Sequence, residues 1–247
     1  GLTILIIDGT GMALNQMLKG EKTRYDLAKF SWIGRVSAEP PVIAVGVHTP
    51  FWSIKDLLET KRTATFAQRG VSDADYLATG IVCTSLGIPY RNITGFKGSG
   101  ESILAVMREE IDGVELSVST LLPHVIAGEL RPMVQLARER DTRIPSVPTV
   151  IEMAPEKAKD VLIATTNVLA LDRSICASPG VPEARVQVLR DALQKTYNDP
   201  EFIEWARKAK RPIMPMRGEE LDKVVKEAMG VRDKLKPILD QVIAEAQ

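Results

Sequence analysis

Cysteine, histidine and net charge are all in short supply along these 247 residues, and each shortage removes a class of protein. Two cysteines, Cys83 and Cys176, make neither a disulfide framework nor a zinc site. Thirty-two Lys plus Arg balance 32 Asp plus Glu, so no basic field exists to release phosphate counterions, and no nucleic-acid partner is expected. The longest apolar stretches, residues 3–7 and 161–171, fall short of the roughly 20 residues a membrane-spanning helix needs. Only His48 and His124 offer an imidazole base and no G-x-S-x-G elbow occurs, which leaves nucleophilic hydrolysis little to work with. The chain does not open on a basic segment, a short apolar region and a small-residue cleavage site. An abrupt mature start and a piece of a longer chain both fit.

Apolar material is ample. Hydrophobic residues make up 45% of the chain, enough to pack one large domain or two modest ones at about 150 residues per domain. Residues 2–7 form a continuous apolar run that reads as a strand buried on both faces. From residue 42 the pattern alternates: strands are expected at 42–47, 63–67, 90–96, 114–118 and 133–137. Helices are expected between them at 53–58, 74–86, 101–110 and 122–127, several stopped by glycine. Ser53 and Asp56 have the spacing of a capping box. After a proline-rich loop at 143–149 come a strand near 167–171 and helices opening at Pro182 and at Asp199-Pro200. A strand at 213–216 and a long helix over 219–246, kinked ahead of Pro237, complete the reading. The pattern implies an α/β protein of two lobes, each a mostly parallel sheet flanked by helices. Residues 45–137 form an inserted second lobe, and residues 1–44 and 138–247 a discontinuous first lobe. Pro40-Pro41 and residues 138–143 are the expected crossings.

Ligands of open α/β sheets sit beyond the carboxyl ends of the strands, where loops lead into helix amino termini. Unpaired N–H groups and a partial positive charge there hold carboxylates without overall basicity. The candidate ligand-binding residues lie in four such loops. Gly9, Thr10 and Gly11 follow the first strand, and Arg69, Gly70, Ser72 and Asp73 follow the strand at 63–67. Lys97, Gly98 and Ser99 follow the strand at 90–96, while Ser117, Ser119 and Thr120 close the one at 114–118. Plainer readings stand beside these. Gly98-Ser99-Gly100-Glu101 caps a helix, Asp73 is an N-cap or reads a ligand amine, and Arg69 and Lys97 are solvated surface charges. His124 reads as a surface or packing residue; Cys83, inside an apolar helix, and Cys176, in a loop, read as packing or incidental. No catalytic residue, metal ligand or cofactor is assigned. Asp8-Gly9-Thr10-Gly11-Met12-Ala13-Leu14 fails the dinucleotide fingerprint because Leu14 stands where Gly or Ala is needed, and no phosphate-cradling GxxxxGK[ST] spacing surrounds Lys97.

Several segments together resemble the extracytoplasmic solute-binding receptors of the tripartite tricarboxylate transporter family, also called Bug receptors. They are Phe30-Ser31-Trp32-Ile33-Gly34, Thr94-Gly95-Phe96-Lys97-Gly98-Ser99 and Leu122-Pro123-His124-Val125-Ile126-Ala127-Gly128-Glu129-Leu130-Arg131. Ile144-Pro145-Ser146-Val147-Pro148-Thr149 and the stretch from Pro179-Gly180-Val181-Pro182 to Asp199-Pro200-Glu201 complete the set. The likeness runs in the family's order along nearly the whole chain. It implies a two-lobed fold like that of periplasmic binding proteins, and a periplasmic location. It also implies capture of a small organic acid in a cleft between lobes by hinge closure, delivery to membrane transporter subunits, a monomer, and no enzyme activity. The family begins with a strand, a Gly/Pro-rich loop and a helix ahead of the point where this sequence starts, and that loop supplies one wall of the cleft. Asp73 stands where the family has Ser or Thr, and Ser72 where it has Gly. An enzyme or a ligand-sensing regulator using the same cleft is the alternative, although the regulator would need a helix-turn-helix segment, and none precedes the first strand.

Overall fold

The computed structural model describes residues 3–245. These fall into two compact units, residues 3–39 with 167–233 and residues 40–166 with 234–245, and the segment 45–137 lies within the second. In chain order the elements are β1 (Ile4–Asp8), α1 (Gly9–Lys19), β2 (Ser31–Ser37), β3 (Pro41–Gly46), α2 (Ile54–Glu59), β4 (Ala64–Ala67) and α3 (Ala74–Leu86). Then come β5 (Tyr90–Ile93), α4 (Ser99–Met107), β6 (Gly113–Ser117), α5 (Val118–Ile126), β7 (Leu130–Gln135), α6 (Val150–Met153) and α7 (Glu156–Leu169). The chain ends with β8 (Arg173–Ala177), α8 (Glu183–Tyr197), α9 (Pro200–Lys208), β9 (Met216–Arg217), α10 (Gly218–Gly230) and α11 (Arg232–Ala244).

The first unit holds a sheet in the order β1-β8-β2-β9, with every pairing antiparallel. Strand direction therefore departs from the parallel arrangement expected for this lobe, because β8 runs against both its neighbours. The apolar first strand is not buried either: Ile4 is 53% exposed, Leu5 46% and Ile6 67%. As an edge strand with β8 as its one partner, β1 lacks the flanking that a continuous apolar run ordinarily signals. Leu2, the start of the expected strand, lies outside the described residues.

Residues 167–169, expected as strand, are the last of α7. Ala158, Leu162, Thr165 and Leu169 recur at helical spacing and are buried. The Thr165 and Thr166 hydroxyls donate back to the carbonyls of Val161 and Ile163, both at 2.8 Å, so their polar groups are met inside the helix. The strand follows as β8, and it carries Cys176 as a buried strand residue rather than a loop residue. The long carboxyl-terminal helix breaks at Gly230–Val231, not ahead of Pro237, which sits inside α11 and whose missing N–H leaves open only the carbonyl of exposed Asp233.

The second unit holds a sheet in the order β5-β4-β6-β3-β7. Its β5, β4 and β6 are parallel, whereas β3 runs antiparallel to β6 and β7. Val42, Ala44, Val106, Val114, Leu121 and Leu130 build the core on the face covered by α4 and α5. The buried Asp112 ahead of β6 accepts from Arg62 Nη2 at 2.7 Å and from the Thr65 N–H at 2.8 Å, which locks the start of β6 to β4. Gly87 ends α3 at φ +73°, a left-handed position that glycine occupies without strain. The capping box of Ser53 and Asp56 opens α2 as its spacing implies.

Candidate functional site

Three parallel neighbours, β5, β4 and β6, each end at the same edge of the second sheet, and each leads into a helix: β4 into α3, β5 into α4, β6 into α5. This brings ten of the sequence-predicted residues to one end of the unit. The loops after β4 and β5 are bonded directly, with the Gly95 N–H donating to the Arg69 carbonyl at 3.2 Å.

Asp73 occupies the N-cap position of α3, yet its side chain makes no capping hydrogen bond. Its carboxylate lies 3.8 Å from Arg69 Nε, and Arg69 Nη2 lies 3.4 Å from Asp75. Arg69 is thus held between two carboxylates and is not a spare cation. Gly70 accepts the Asp73 N–H at 3.1 Å, and Ser72 is exposed. In the second loop the Lys97 N–H donates to Glu101 Oε2 at 2.7 Å. The exposed Lys97 ammonium makes no ion pair among the described residues. Gly98 is the N-cap of α4 and Ser99 its first residue. A Cβ at Gly98 would meet open space, so here the glycine leaves the backbone accessible rather than relieving a clash. At the third loop Ser117 Oγ lies 3.0 Å from Thr120 Oγ1 and 3.5 Å from Ser119 Oγ, a cluster of hydroxyls at the start of α5.

Gly9, Thr10 and Gly11 belong to the first unit. They are buried in the first turn of α1, a helical start where a loop was expected. Their groups are already engaged: Gly9 N–H donates to the Asp172 carbonyl at 2.7 Å, and Gly11 N–H to Asp8 Oδ1 at 2.9 Å. Thr10 Oγ1 donates to the carbonyls of Val168 and Leu169. Asp172 has its pKa raised to about 6, chiefly by burial, with the carboxylates of Asp8 and Glu39 adding to the shift against Arg173 and Arg35.

Sequence reasoning missed Gln68, one residue past β4. It is fully buried, its N–H donates to the Ile93 carbonyl at 2.8 Å, and its Nε2 donates to Asn92 Oδ1 at 3.1 Å. The signal was present as a polar side chain directly after the apolar strand, but its partner is set by strand pairing. Beside these loops, along β5, runs a cavity of about 370 Å³ lined in part by Val71, Tyr76, Asn92 and Thr94.

Burial pushes both thiols up, Cys83 strongly and Cys176 to about 11, so neither is a ready thiolate at neutral pH. His124 Nδ1 lies 2.7 Å from Glu129 Oε2 on the surface of α5. No group of three or more His, Cys, Asp or Glu able to hold a metal occurs among the described residues, and none of their helices is long and apolar enough to cross a membrane.

Residues 1–242 match the family described as tripartite tricarboxylate transporter family receptor. The chain belongs to this family. A UPF0065 protein of Bordetella pertussis is 23% identical over 211 residues, which are 83% of this chain and 61% of that protein. The chain thus spans about three-fifths of the length of that relative. Among solved structures, MatC of Rhodopseudomonas palustris, with bound malate, superposes with a TM-score of 0.70 at 17% identity, covering 96% of this chain and 79% of that one. A second R. palustris protein, solved with adipate, gives 0.71 at 18% identity, covering 97% and 78%. The receptor fold, α/β and of the periplasmic binding protein kind, is shared with both.

Proposed function

We propose that this chain is a solute-binding receptor that takes a small organic acid by its carboxylate at the carboxyl ends of β4, β5 and β6, in the periplasm, and passes it to membrane transporter subunits. The observation that carries the reading is the convergence of three helix starts, α3, α4 and α5, on neighbouring parallel strand ends, together with the Lys97 ammonium, which makes no ion pair among the described residues. Helix N–H groups and one lysine supply local positive character within a chain of zero net charge. The Ser117, Ser119 and Thr120 hydroxyls add adaptable donors. Malate and adipate on relatives of the same fold support an aliphatic acid as the ligand class. The role is capture and not catalysis: both thiols are held protonated by burial, and His124 is engaged with Glu129.

Isothermal titration calorimetry against a panel of aliphatic mono-, di- and tricarboxylates tests the reading. Heat of binding for at least one acid is expected. A folded chain that takes none of them overturns it.

A further inference from the structure

Gln68 lies one residue beyond β4 and has no exposed surface. Its backbone ties the roots of two candidate loops together, since its N–H donates to the Ile93 carbonyl at 2.8 Å and its carbonyl accepts the Phe96 N–H at 3.4 Å. The side chain adds a third tie. Nε2 donates to Asn92 Oδ1 at 3.1 Å, and Asn92 Nδ2 in turn donates at 3.2 Å to the carbonyl of Tyr76, in the first turn of α3.

The orientation of both amides is forced. A backbone carbonyl only accepts, so Asn92 must turn Nδ2 toward Tyr76 and Oδ1 toward Gln68, which must then present Nε2. Gln68 Oε1 is left buried with no hydrogen-bond partner among the described residues. An unsatisfied buried acceptor opposes folding, and an apolar side chain of similar length would avoid it. Positions that break a local rule without local compensation are where function retains a residue.

We propose that Gln68 is a positioning residue for carboxylate capture. The amide chain from Gln68 through Asn92 to Tyr76 fixes the spacing between the β4–α3 loop, the β5–α4 loop and the start of α3. Backbone bonds alone join strand to strand. The side-chain link joins β5 to the first turn of α3, and so sets where that helix start lies relative to Lys97 and Gly98. This inference rests on the site assigned under Proposed function.

The test uses the full chain with Gln68→Met, Asn92→Ala and the double variant, each followed by thermal unfolding and by calorimetric titration with succinate, glutarate and adipate. Gln68→Met is expected to keep or raise the Tm, because it removes the orphaned acceptor and leaves Asn92 facing the cavity, where water can reach it. It is also expected to weaken binding by about ten-fold. Asn92→Ala should weaken binding by a similar factor, and the double variant should bind no worse than the weaker single, since one chain cannot be cut twice. Affinity equal to wild type, losses that multiply in the double variant, or a Gln68→Met loss that comes with a falling Tm each overturn the proposal. A wild-type chain that takes none of the three acids overturns the reading of the site itself, and this inference with it. That failure is recognised by the wild type and not by the variants.

Discussion

Asp8 and Gly11 close the amino terminus of α1 on itself, the Asp8 carboxylate accepting the Gly11 N–H at 2.9 Å. The helix dipole is thereby answered by an anion from its own chain, and a ligand carboxylate at that position would meet a charge of its own sign. The three helix starts of the second unit differ in their cap bonds, although Asp75 stands in the first turn of α3 and Glu101 in that of α4. None of α3, α4 and α5 has a side-chain cap hydrogen bond.

Asp8→Ala is therefore expected to lower stability by about 1 kcal/mol, the usual worth of an N-cap. Urea unfolding reads this loss. Carboxylate affinity should hold, because the proposed site lies at the ends of β4, β5 and β6 and does not include Asp8. A fall in affinity with intact folding would instead return Gly9, Thr10 and Gly11 to the binding surface.

Asp172 gives the fold a pH dependence of definite sign. Its carboxyl has a folded pKa raised from 3.8 to about 6, so the folded state holds the proton more tightly than the unfolded chain does. The neutral form is the one that burial favours. Stability from this group is present in full below pH 3.8 and is lost as pH rises toward 6, a difference of at most about 3 kcal/mol. Asp172→Asn should flatten the pH–stability profile across that window and stabilise the protein at neutral pH. Parallel wild-type and variant profiles from denaturant titrations between pH 4 and 7 would show the shift of Asp172 to be absent.

What could be read from the sequence was local, and what could not depended on pairing. The alternation of β4, α3, β5, α4 and β6 was legible because short apolar runs are separated by helical patterns that glycines such as Gly87 stop. Once those strands are parallel neighbours, the gathering of their loops at one end follows. The exposure of Ile4 and Ile6 was not legible, because an apolar run does not say how many neighbours its strand will have. Thr165 and Thr166 favour strands by type, and only their hydroxyl bonds to Val161 and Ile163 show why the helix tolerates them. In the same way, the neutralisation of Arg69 by Asp73 and Asp75 depends on the turn that folds them together, while the Gln68–Asn92 bond depends on the β4–β5 register.

Lys97 supplies an exposed cation to the proposed site. Its ammonium makes no ion pair among the described residues, so removing it should leave stability nearly unchanged. Lys97→Ala is expected to weaken carboxylate binding by about 1.5–3 kcal/mol, the range for hydrogen bonds to charged groups. The loss should shrink as salt is raised, since an exposed pair is screened. Unchanged affinity by calorimetry would make Lys97 a solvated surface charge.

Gly80 and Val242 set how closely α11 approaches α3. A Cβ built on Gly80 would fall 2.4 Å from Val242 Cγ1 and 2.9 Å from its Cγ2, and Val242 is itself buried. Two effects of opposite sign then act on Gly80→Ala. Helix propensity alone would stabilise the protein by about 1 kcal/mol, while overpacking costs about 1–3 kcal/mol. The contact is close enough for the second to win, and the single variant should be destabilised. In a Val242→Ala background both methyls are gone and the Tyr90 hydroxyl, 3.2 Å from that Cβ, is the tight neighbour left, so the same Gly80→Ala change should cost much less. A double-mutant cycle by denaturant unfolding checks the relief; an equal Gly80→Ala cost in both backgrounds would mean that α11 does not sit on α3 at this distance.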